Sequence, residues 1–277
     1  METSNKSKKT IQSFGDEWTK FDQSTLDKNE LDTITARYFD ILPDKCFNKK
    51  TIGFDLGCGS GRFSLYLVDK VKTLHCIEPS SAIEIAKKKL SKYNNCIFHN
   101  VSVYNMRIPN NSMDFGISLG VLHHVDDTLK GLKNCNKILK SGAPFLIYLY
   151  YAFDNKPFWF RLIWKISNLI RLLISSMPKQ IKFILSEIIA LLIYLPLARL
   201  SKFIEKYFKI NVDNVPLSAY RNLSYYTMRT DSLDRFGTKI EKRFTKKQII
   251  QMLTEAGFTD FKFSSEIPFW CVTCYKK

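Results

Sequence analysis

The 277-residue sequence lacks the features of several specialised protein classes. It shows no internal repeat, no heptad pattern and no low-complexity segment, which excludes collagen-like and coiled-coil chains. The N-terminal METSNKSKKT is polar and lacks the apolar core of a secretory signal peptide. The seven cysteines are scattered, apart from Cys271 and Cys274, as is typical of proteins in a reducing cytosol. These absences predict a cytoplasmic location, and a composition that is 45% hydrophobic predicts one elaborated domain.

Long uncharged apolar runs are also absent. Within residues 155–215 the longest uncharged run, residues 188–198, has eleven residues and contains Pro196, so this segment is too short for a transmembrane helix and none is predicted. Acidic residues are scarce: 26 Asp and Glu face 42 Lys and Arg, which gives a net charge of +16. Residues 156–210 hold ten basic and two acidic residues, so +8 lies in this segment. A net positive charge of this kind is typical of proteins that bind nucleic acid, an anionic membrane surface or an acidic substrate. The alternative is that the charge serves only to keep the chain soluble.

Strand-like and helical segments alternate from residue 51 to residue 150. The predicted strands are 51–56, 73–78, 96–100, 113–119 and 143–150, and the predicted helices are 62–68, 81–92 and 128–139. Continuous apolar strands that alternate with helices favour a parallel sheet covered on both faces. Ligands of such sheets bind beyond the carboxyl ends of the strands.

The C-terminal part predicts a helix followed by a hairpin. Thr245 and Gln248 form a capping box, and Gly257 is placed as the C-terminal stop of the helix. Strands over 259–265 and 269–275 are separated by only three residues, which is too short for a crossover helix. The parallel sheet is therefore expected to end in an antiparallel strand.

Residues 155–215 interrupt this pattern with apolar, basic segments of helical period. A narrow polar stripe is formed by Arg161, Lys165, Asn168 and Ser175. The sequence thus predicts three parts: an N-terminal helical cap over 1–50, an α/β domain over 51–154 and 216–277, and a helical insertion over 155–215.

The stretch FDLGCGSGRFS contains three glycines, Gly57, Gly59 and Gly61, directly after the first predicted strand. A dinucleotide fingerprint needs its last glycine one position later, and a phosphate-binding loop needs a lysine that is missing here. Glycines at this closer spacing predict a tight turn against an amino-acid tail and a ribose. Glu78, at the end of the second strand, can accept hydrogen bonds from both ribose hydroxyls.

Four segments resemble the successive motifs of class I S-adenosylmethionine-dependent methyltransferases: TIGFDLGCGSGRFSLYL, HCIEPS, RIPNNSMDFGISLGVLHHVDD and NKILKSGAPFLIYLY. The resemblance covers about 100 residues and is similar to the branch with a GVLHH turn, which acts on quinones, polysaccharides and other small molecules. It implies a Rossmann-like, mostly parallel seven-stranded sheet with an antiparallel last strand, an inserted helical segment between strands 5 and 6, and S-adenosylmethionine as cofactor.

The resemblance also implies which residues contact the cofactor. They are Asp55, Gly57, Gly59, Gly61, Glu78, Pro79, Ser102, Val103, Leu119, Gly120 and Arg37. Glu78 would hold the ribose, and Ser102 departs from the acidic residue that the family often has there. Arg37 lies twenty residues before Gly57, as in related quinone methyltransferases, and the alternative is a surface arginine.

Two histidines, His123 and His124, follow the fourth strand, close to where the methyl group would leave. A neutral imidazole suits a general base if the acceptor is a hydroxyl or an ammonium. The alternative is that one ring packs on the sheet edge and the other caps the next turn. Related metal-dependent enzymes place two acids and a histidine here, and only His124 matches that set, so no metal is predicted.

The predicted function is methyl transfer from S-adenosylmethionine to a hydroxyl, amine, carboxyl or carbon of a small-molecule or lipid-linked acceptor. A non-catalytic S-adenosylmethionine-binding protein is the alternative. An RNA or DNA methyltransferase is disfavoured, because the chain has neither an N-P-P-Y-like tetrapeptide after the fourth strand nor a Pro-Cys nucleophile. Residues 156–210 are expected to contact a membrane or a second subunit, and the alternative is that their apolar face packs over the sheet as a substrate lid. Membrane contact would place the protein at the inner face of the membrane.

Overall fold

The computed structural model describes residues 5–277, which divide into two compact units. Unit 1 contains the described residues up to Thr25, together with Leu31–Ala152 and Ile240–Lys277. Unit 2 contains Leu26–Glu30 and Phe153–Lys239.

A seven-stranded sheet forms the centre of unit 1. Its strands are β1 (Ile52–Leu56), β2 (Thr73–Ile77), β3 (Cys96–His99), β4 (Phe115–Leu119), β5 (Pro144–Tyr148), β6 (Phe258–Phe263) and β7 (Val272–Lys276). Their order is β3-β2-β1-β4-β5-β7-β6. The first five strands are parallel, and β7 runs antiparallel to both β5 and β6. The predicted Rossmann-like sheet with an antiparallel last strand is confirmed.

Ten α-helices accompany these strands in the described part of the chain. They are α1 (Asn5–Lys20), α2 (Lys28–Phe39), α3 (Arg62–Val68), α4 (Ala82–Lys89), α5 (Thr128–Ile138), α6 (Phe158–Ile174), α7 (Lys179–Ile189), α8 (Leu195–Phe208), α9 (Tyr225–Gly237) and α10 (Lys246–Glu255). The helical segment predicted between strands 5 and 6 is therefore present. The predicted capping box also forms, since Thr245 and Gln248 bond each other's backbone at the start of α10.

Two apolar clusters cover the two faces of the sheet. Side chains of α5 and α10 pack on one face with Phe54 and Phe145, and side chains of α3 and α4 pack on the other with Phe115. At the centre of the sheet, a glycine of β1 lies beside a phenylalanine of β4, and a glycine of β4 lies beside a phenylalanine of β1. A methyl group added at Gly53 would lie 2.2 Å from the Phe115 ring, and one added at Gly116 would lie 2.2 Å from the Phe54 ring. This arrangement fixes the register of β1 on β4, where the strand order reverses.

Unit 2 extends further along the chain than the predicted insertion of 155–215, because it also holds α9. Helices α6 and α7 contact α9, and Met228 and Phe236 of α9 are buried with Ile174 and Tyr194 in one apolar cluster. The residues after 215 therefore fold with the insertion as far as Lys239. The predicted insertion ended before α9 because α9 is polar and has no strand-like neighbour in the sequence.

Helices α7 and α8 join through a π-helical turn, Ala190–Tyr194, into one continuous helix over Lys179–Phe208. Its 30 residues are long and apolar enough to cross a membrane by length and composition alone. The sequence predicted no such helix, because Pro196 and isolated charges interrupt the apolar run. The wider π-helical turn lies just before Pro196, where a proline ring would otherwise collide with the preceding turn.

Candidate functional site

A tight glycine turn connects β1 to α3. Gly57, Gly59 and Gly61 have φ values of +74°, +53° and +80°, a region that residues with a side chain rarely adopt. The backbone N–H groups of Gly57 and Cys58 donate to the carbonyl of Ile77, at N···O distances of 2.7 and 3.2 Å. The turn is thereby held against the end of β2.

Glu78, the residue after β2, is bonded to this turn. Its Oε2 accepts the backbone N–H of Gly59 at 3.2 Å, and its Oε1 accepts that of Ser80 at 2.9 Å. The side chain is buried, and this burial raises the pKa of the carboxyl while the two backbone bonds oppose the rise. Asn100 fixes the same loop, because its Nδ2 donates to the carbonyl of Glu78 at 2.9 Å.

Asp55 lies behind the turn, within β1. Its Oδ2 accepts the hydroxyl of Ser64 at 2.6 Å, and 2% of the residue is exposed. Burial raises the pKa of Asp55 to about 7, an effect that the Ser64 hydrogen bond partly offsets and the nearby Glu78 adds to. The structure therefore joins Asp55 to α3, through Ser64.

Helix α1 lies over the turn. A methyl group added at Gly59 would lie 3.0 Å from the indole nitrogen of Trp18, and the guanidinium of Arg62 lies 5.9 Å from the Trp18 ring centre. The ring of Phe14, one turn earlier in α1, meets His124 edge to face at 4.8 Å between ring centres. One helix thus covers both the glycine turn and the histidine pair.

The remaining predicted cofactor residues lie after β2, β3 and β4. Val103 and Leu119 are buried in the apolar clusters, and Pro79 is partly exposed beside Glu78. Gly120 has a φ of +78°, and a methyl group added there would meet no atom within 4 Å. Gly120 therefore faces open space at the end of β4.

Several buried hydroxyls near these strand ends have no hydrogen-bond partner. They are the Oγ atoms of Ser60, Ser102 and Ser118. Buried polar atoms without partners cost free energy, so such groups commonly await a ligand. These hydroxyls, like the open space at Gly120, lie in the segments where the cofactor is predicted to bind.

Arg37 is the one predicted cofactor residue that no contact connects to this site. It lies in α2 and is half-buried. Among residues 5–277 it makes no recorded hydrogen bond or ion pair, so its predicted role has no geometric support.

The two histidines are buried side by side, with ring centres 3.9 Å apart. The backbone N–H of Tyr150 donates to Nδ1 of His123 at 3.4 Å, so the neutral His123 ring carries its proton on Nε2. Nδ1 of His124 lies 2.5 Å from the carbonyl of Ile240. A carbonyl only accepts, so Nδ1 of His124 donates and its lone pair is on Nε2. The two rings therefore have opposite tautomers.

Burial lowers the pKa of His123 well below its usual range, and the nearby His124 and Arg243 lower it further. His123 also stacks on Tyr150 at 3.7 Å between ring centres. This ring is therefore neutral and packed.

The structure also brings in residues that the sequence did not assign to the site. Nε of Arg243 lies 2.8 Å from Oε1 of Glu241, and the guanidinium lies 5.0 Å from the Tyr150 ring. Tyr150 follows β5, which pairs with β4, so its place at the same sheet edge could have been inferred. Arg243 and Glu241 are only two residues apart, but their place beside Tyr150 depends on a contact between distant parts of the sequence, so no local pattern indicated it.

In the part of the chain that the structure describes, no group of three or more His, Cys, Asp or Glu side chains is arranged to hold a metal ion. The cysteines are free thiols, and Cys271 and Cys274 are buried in the sheet.

Residues 54–147 match the family model described as a methyltransferase domain. The match begins in β1 and ends in β5, so it contains the glycine turn, Glu78 and both histidines. Residues 54–147 therefore match a methyltransferase domain, as the resemblance of the sequence to S-adenosylmethionine-dependent methyltransferases predicts.

Solved structures resemble parts of this chain at low sequence identity. A "possible exported protein" from Bordetella parapertussis is 14% identical, with a TM-score of 0.52, over 88% of this chain and 67% of its own. An N-methyltransferase from Bradyrhizobium japonicum, in complex with S-adenosylhomocysteine, is 18% identical over 50% of this chain and 72% of its own, with a TM-score of 0.42. A Galdieria sulphuraria chain assigned as a sarcosine dimethylglycine methyltransferase is 23% identical, with a TM-score of 0.38.

The match to the Galdieria chain covers 42% of the present chain and 45% of that one, which is less than half of either. No curated protein sequence matches the present chain.

We expect Asp55→Asn to flatten the pH dependence of stability. The pKa of Asp55 rises from 3.8 to about 7 on folding, so between these values only the folded chain retains this proton. The free energy of unfolding therefore falls as pH rises through this window, by up to about 1.4 kcal/mol per pH unit, and the Asp55 contribution is constant above it.

Urea unfolding at a series of pH values from 4 to 8 measures this slope. The exposed Asp32→Asn in α2 is the matched control and should keep the wild-type slope. Equal slopes for Asp55→Asn and the wild type would contradict the assignment.

Proposed function

We propose that this chain transfers the methyl group of S-adenosylmethionine to a hydroxyl, amine, carboxyl or carbon of a small-molecule or lipid-linked acceptor. The observation that carries the proposal is the buried carboxylate of Glu78, bonded to the glycine turn at the carboxyl ends of β1 and β2. This is where ligands of parallel sheets bind.

The chain's own groups fit the cofactor in the proposed way. Each Glu78 oxygen uses one lone pair on a backbone N–H and retains another for a ribose hydroxyl. The Gly57–Gly61 turn would hold the methionine tail beside Trp18, and the open space at Gly120 would admit the amino group of the cofactor. Pro79, Ser102 and Val103 would border the adenine.

Bound S-adenosylmethionine supplies an electrophilic methyl group on a positively charged sulfur. The protein's contribution to an in-line displacement is mostly to orient the acceptor and exclude water. We assign the base to His124, whose Nδ1–H donates to Ile240 and leaves the Nε2 lone pair to take a proton. His123 has the opposite tautomer, so its Nε2–H is a donor that would orient the acceptor.

A lipid-linked acceptor is favoured over a freely soluble one by residues 156–210, whose surface is both apolar and basic. This choice also favours a cytoplasmic location at the inner face of a membrane. RNA is a weaker candidate, because the basic residues lie on apolar helices and not along an aromatic groove. A non-catalytic binding protein would have no need for the base geometry of His124.

Replacement of Glu78 is expected to weaken cofactor binding. Glu78→Ala removes the proposed acceptor of two ribose hydroxyls, and loss of such charge-assisted hydrogen bonds should reduce affinity about tenfold to hundredfold. Calorimetric titration with S-adenosylmethionine measures the effect. The exposed Glu84→Ala in α4 is the matched control and should bind like the wild type. Unchanged affinity in Glu78→Ala would exclude the proposed ribose contact.

Methyl transfer itself is tested with methyl-labelled S-adenosylmethionine and fractionated lipid and aqueous extracts. We expect label in a lipid-soluble product. If the protein binds the cofactor but transfers no label to any fraction, the result would favour the non-catalytic alternative.

In the same assay, His124→Gln should lower turnover about 10²–10⁴-fold, because the general base is lost, while cofactor affinity stays within about twofold. The matched variant His123→Gln can still donate a hydrogen bond and should retain more activity than His124→Gln. The reverse order would contradict the assignment of the base.

A further inference from the structure

The helices of unit 2 expose apolar side chains and bury polar ones. Twenty-two large apolar residues are exposed among the described residues, and all but Ile97 lie in residues 158–210. On α6 the exposed positions Leu162, Ile166, Leu169 and Leu173 recur every three or four residues, which places them along one face. Leu169 is 63% exposed and Leu173 is 68% exposed, so this face meets no other part of unit 2.

The opposite faces of these helices carry the polar groups. Arg171 is 4% exposed, and its guanidinium donates to Asn168 Oδ1 at 2.7 Å and to the carbonyl of Thr238 at 2.8 Å. Ser186 and Ser201 are buried on α7 and α8. The interior of unit 2 is thus built from hydrogen bonds as well as apolar contacts.

Helix α9 supplies partners for this polar interior. Nε of its Arg229 lies 2.7 Å from Oε1 of Glu187 on α7, and the hydroxyl of Tyr225 donates to the same carboxylate at 2.9 Å. The hydroxyl of Ser232 donates to the carbonyl of Ser186 at 2.8 Å. One of the two acidic residues of the 156–210 segment is therefore neutralised inside the unit.

This polarity is the reverse of that of a helical bundle in water. In water the apolar faces of helices pack inward and the charged faces remain outside, because burial of apolar surface is the main favourable term in folding. An apolar exterior around hydrogen-bonded polar groups is stable where the surroundings are themselves apolar. The exposed face, which we call the lipid face, comprises the exposed large apolar residues of 158–210.

The charge of residues 156–210 favours a bilayer over a second copy of this chain as the partner of the lipid face. Residues 156–210 have ten basic and two acidic residues, and the second acid, Glu205, pairs with Arg221 at 2.7 Å. Arg161, Lys165 and Lys202 are exposed and form no recorded ion pair with a described residue. Two copies joined through this face would bring two such +8 segments together, whereas anionic headgroups would neutralise them.

Aromatic side chains mark both ends of the lipid face. Phe158 and Trp159 begin α6 and are 72% and 46% exposed, next to Arg161. Tyr207 and Phe208 end α8 and are 64% and 62% exposed. Aromatic and basic residues at the ends of an apolar segment are typical of the water–headgroup boundary of a bilayer.

We infer that the lipid face of α6, α7 and α8 docks into the surface of an anionic lipid bilayer, with the apolar side chains among the acyl chains and the aromatic and basic residues at the headgroups. The inference extends beyond methyl transfer and does not depend on it, because membrane binding is measured without cofactor or acceptor.

Vesicle flotation of the purified full-length chain tests the inference. The probes are vesicles of phosphatidylcholine with phosphatidylglycerol and vesicles of phosphatidylcholine alone. We expect the wild type to float with the anionic vesicles and less with the neutral ones, and the difference to shrink with salt. Changing Arg161, Lys165 and Lys202 together to Gln should weaken anionic binding about a hundredfold.

The double variant Leu169→Glu and Leu173→Glu should lose flotation on both kinds of vesicle, because it places carboxylates on the lipid face. Ile97→Glu is the matched control: it changes an exposed apolar residue outside that face, and should float like the wild type. Circular dichroism establishes that the variants are folded. If the double variant does not fold, the flotation of the wild type with anionic and with neutral vesicles still tests the inference.

Wild-type protein that remains in the soluble fraction with both vesicles would overturn the inference. So would a stable dimer in lipid-free solution that the double variant converts to monomers, because the lipid face would then be a subunit interface.

Discussion

The buried carboxylate of Glu78 is the interaction on which the site depends. Burial of an ionised carboxylate is costly unless donors surround it, and the backbone N–H groups of Gly59 and Ser80 supply them. The bond to Gly59 joins the turn after β1 to the turn after β2, and the bond to Ser80 holds the second turn, so the carboxyl ends of these two strands are tied together. The glycine turn in turn leaves room for Trp18 of α1, which covers it.

The two units bury opposite kinds of surface. Unit 1 buries phenylalanine, leucine and isoleucine on both faces of its sheet, as expected for a domain in water. Unit 2 buries Arg171 and five serines beside its apolar cluster, while many leucines and isoleucines face outward. Half of the net charge of +16 lies in residues 156–210, the same helices that expose these apolar side chains. The proposed docking to an anionic membrane surface would explain both the charge and the exposed apolar residues.

Local patterns in the sequence predicted most of the α/β fold. The strand and helix rhythm, the capping box at Thr245 and the short hairpin were all readable, because each depends on residues close together in the chain. The hydrogen bond of His124 to Ile240 and the Arg243–Glu241 pair were not predicted. The first contact, and the place of the Arg243–Glu241 pair beside Tyr150, depend on how the segment after α9 returns to the sheet edge, which no local pattern records.

The sequence did not predict which faces of the unit 2 helices are buried, for a different reason. A helical period shows that α6 has a polar stripe and an apolar face, but the period is the same whichever face points inward. Asn168 and Ser175 were predicted in that stripe, and only the packing of α9 shows that they lie inside. The continuity of α7 with α8 was hidden for a similar reason, because the π-helical turn before Pro196 has no simple sequence pattern.

The central claim is that the carboxyl edge of the sheet in unit 1 holds S-adenosylmethionine and no other adenosine cofactor. Calorimetric titration of the wild-type chain with S-adenosylhomocysteine, NAD⁺ and ATP tests it most directly. We expect one S-adenosylhomocysteine per chain and no measurable heat from the other two, because the glycine spacing fits neither a pyrophosphate nor a triphosphate. Absent binding of S-adenosylhomocysteine, or tighter binding of NAD⁺ or ATP, would contradict the account.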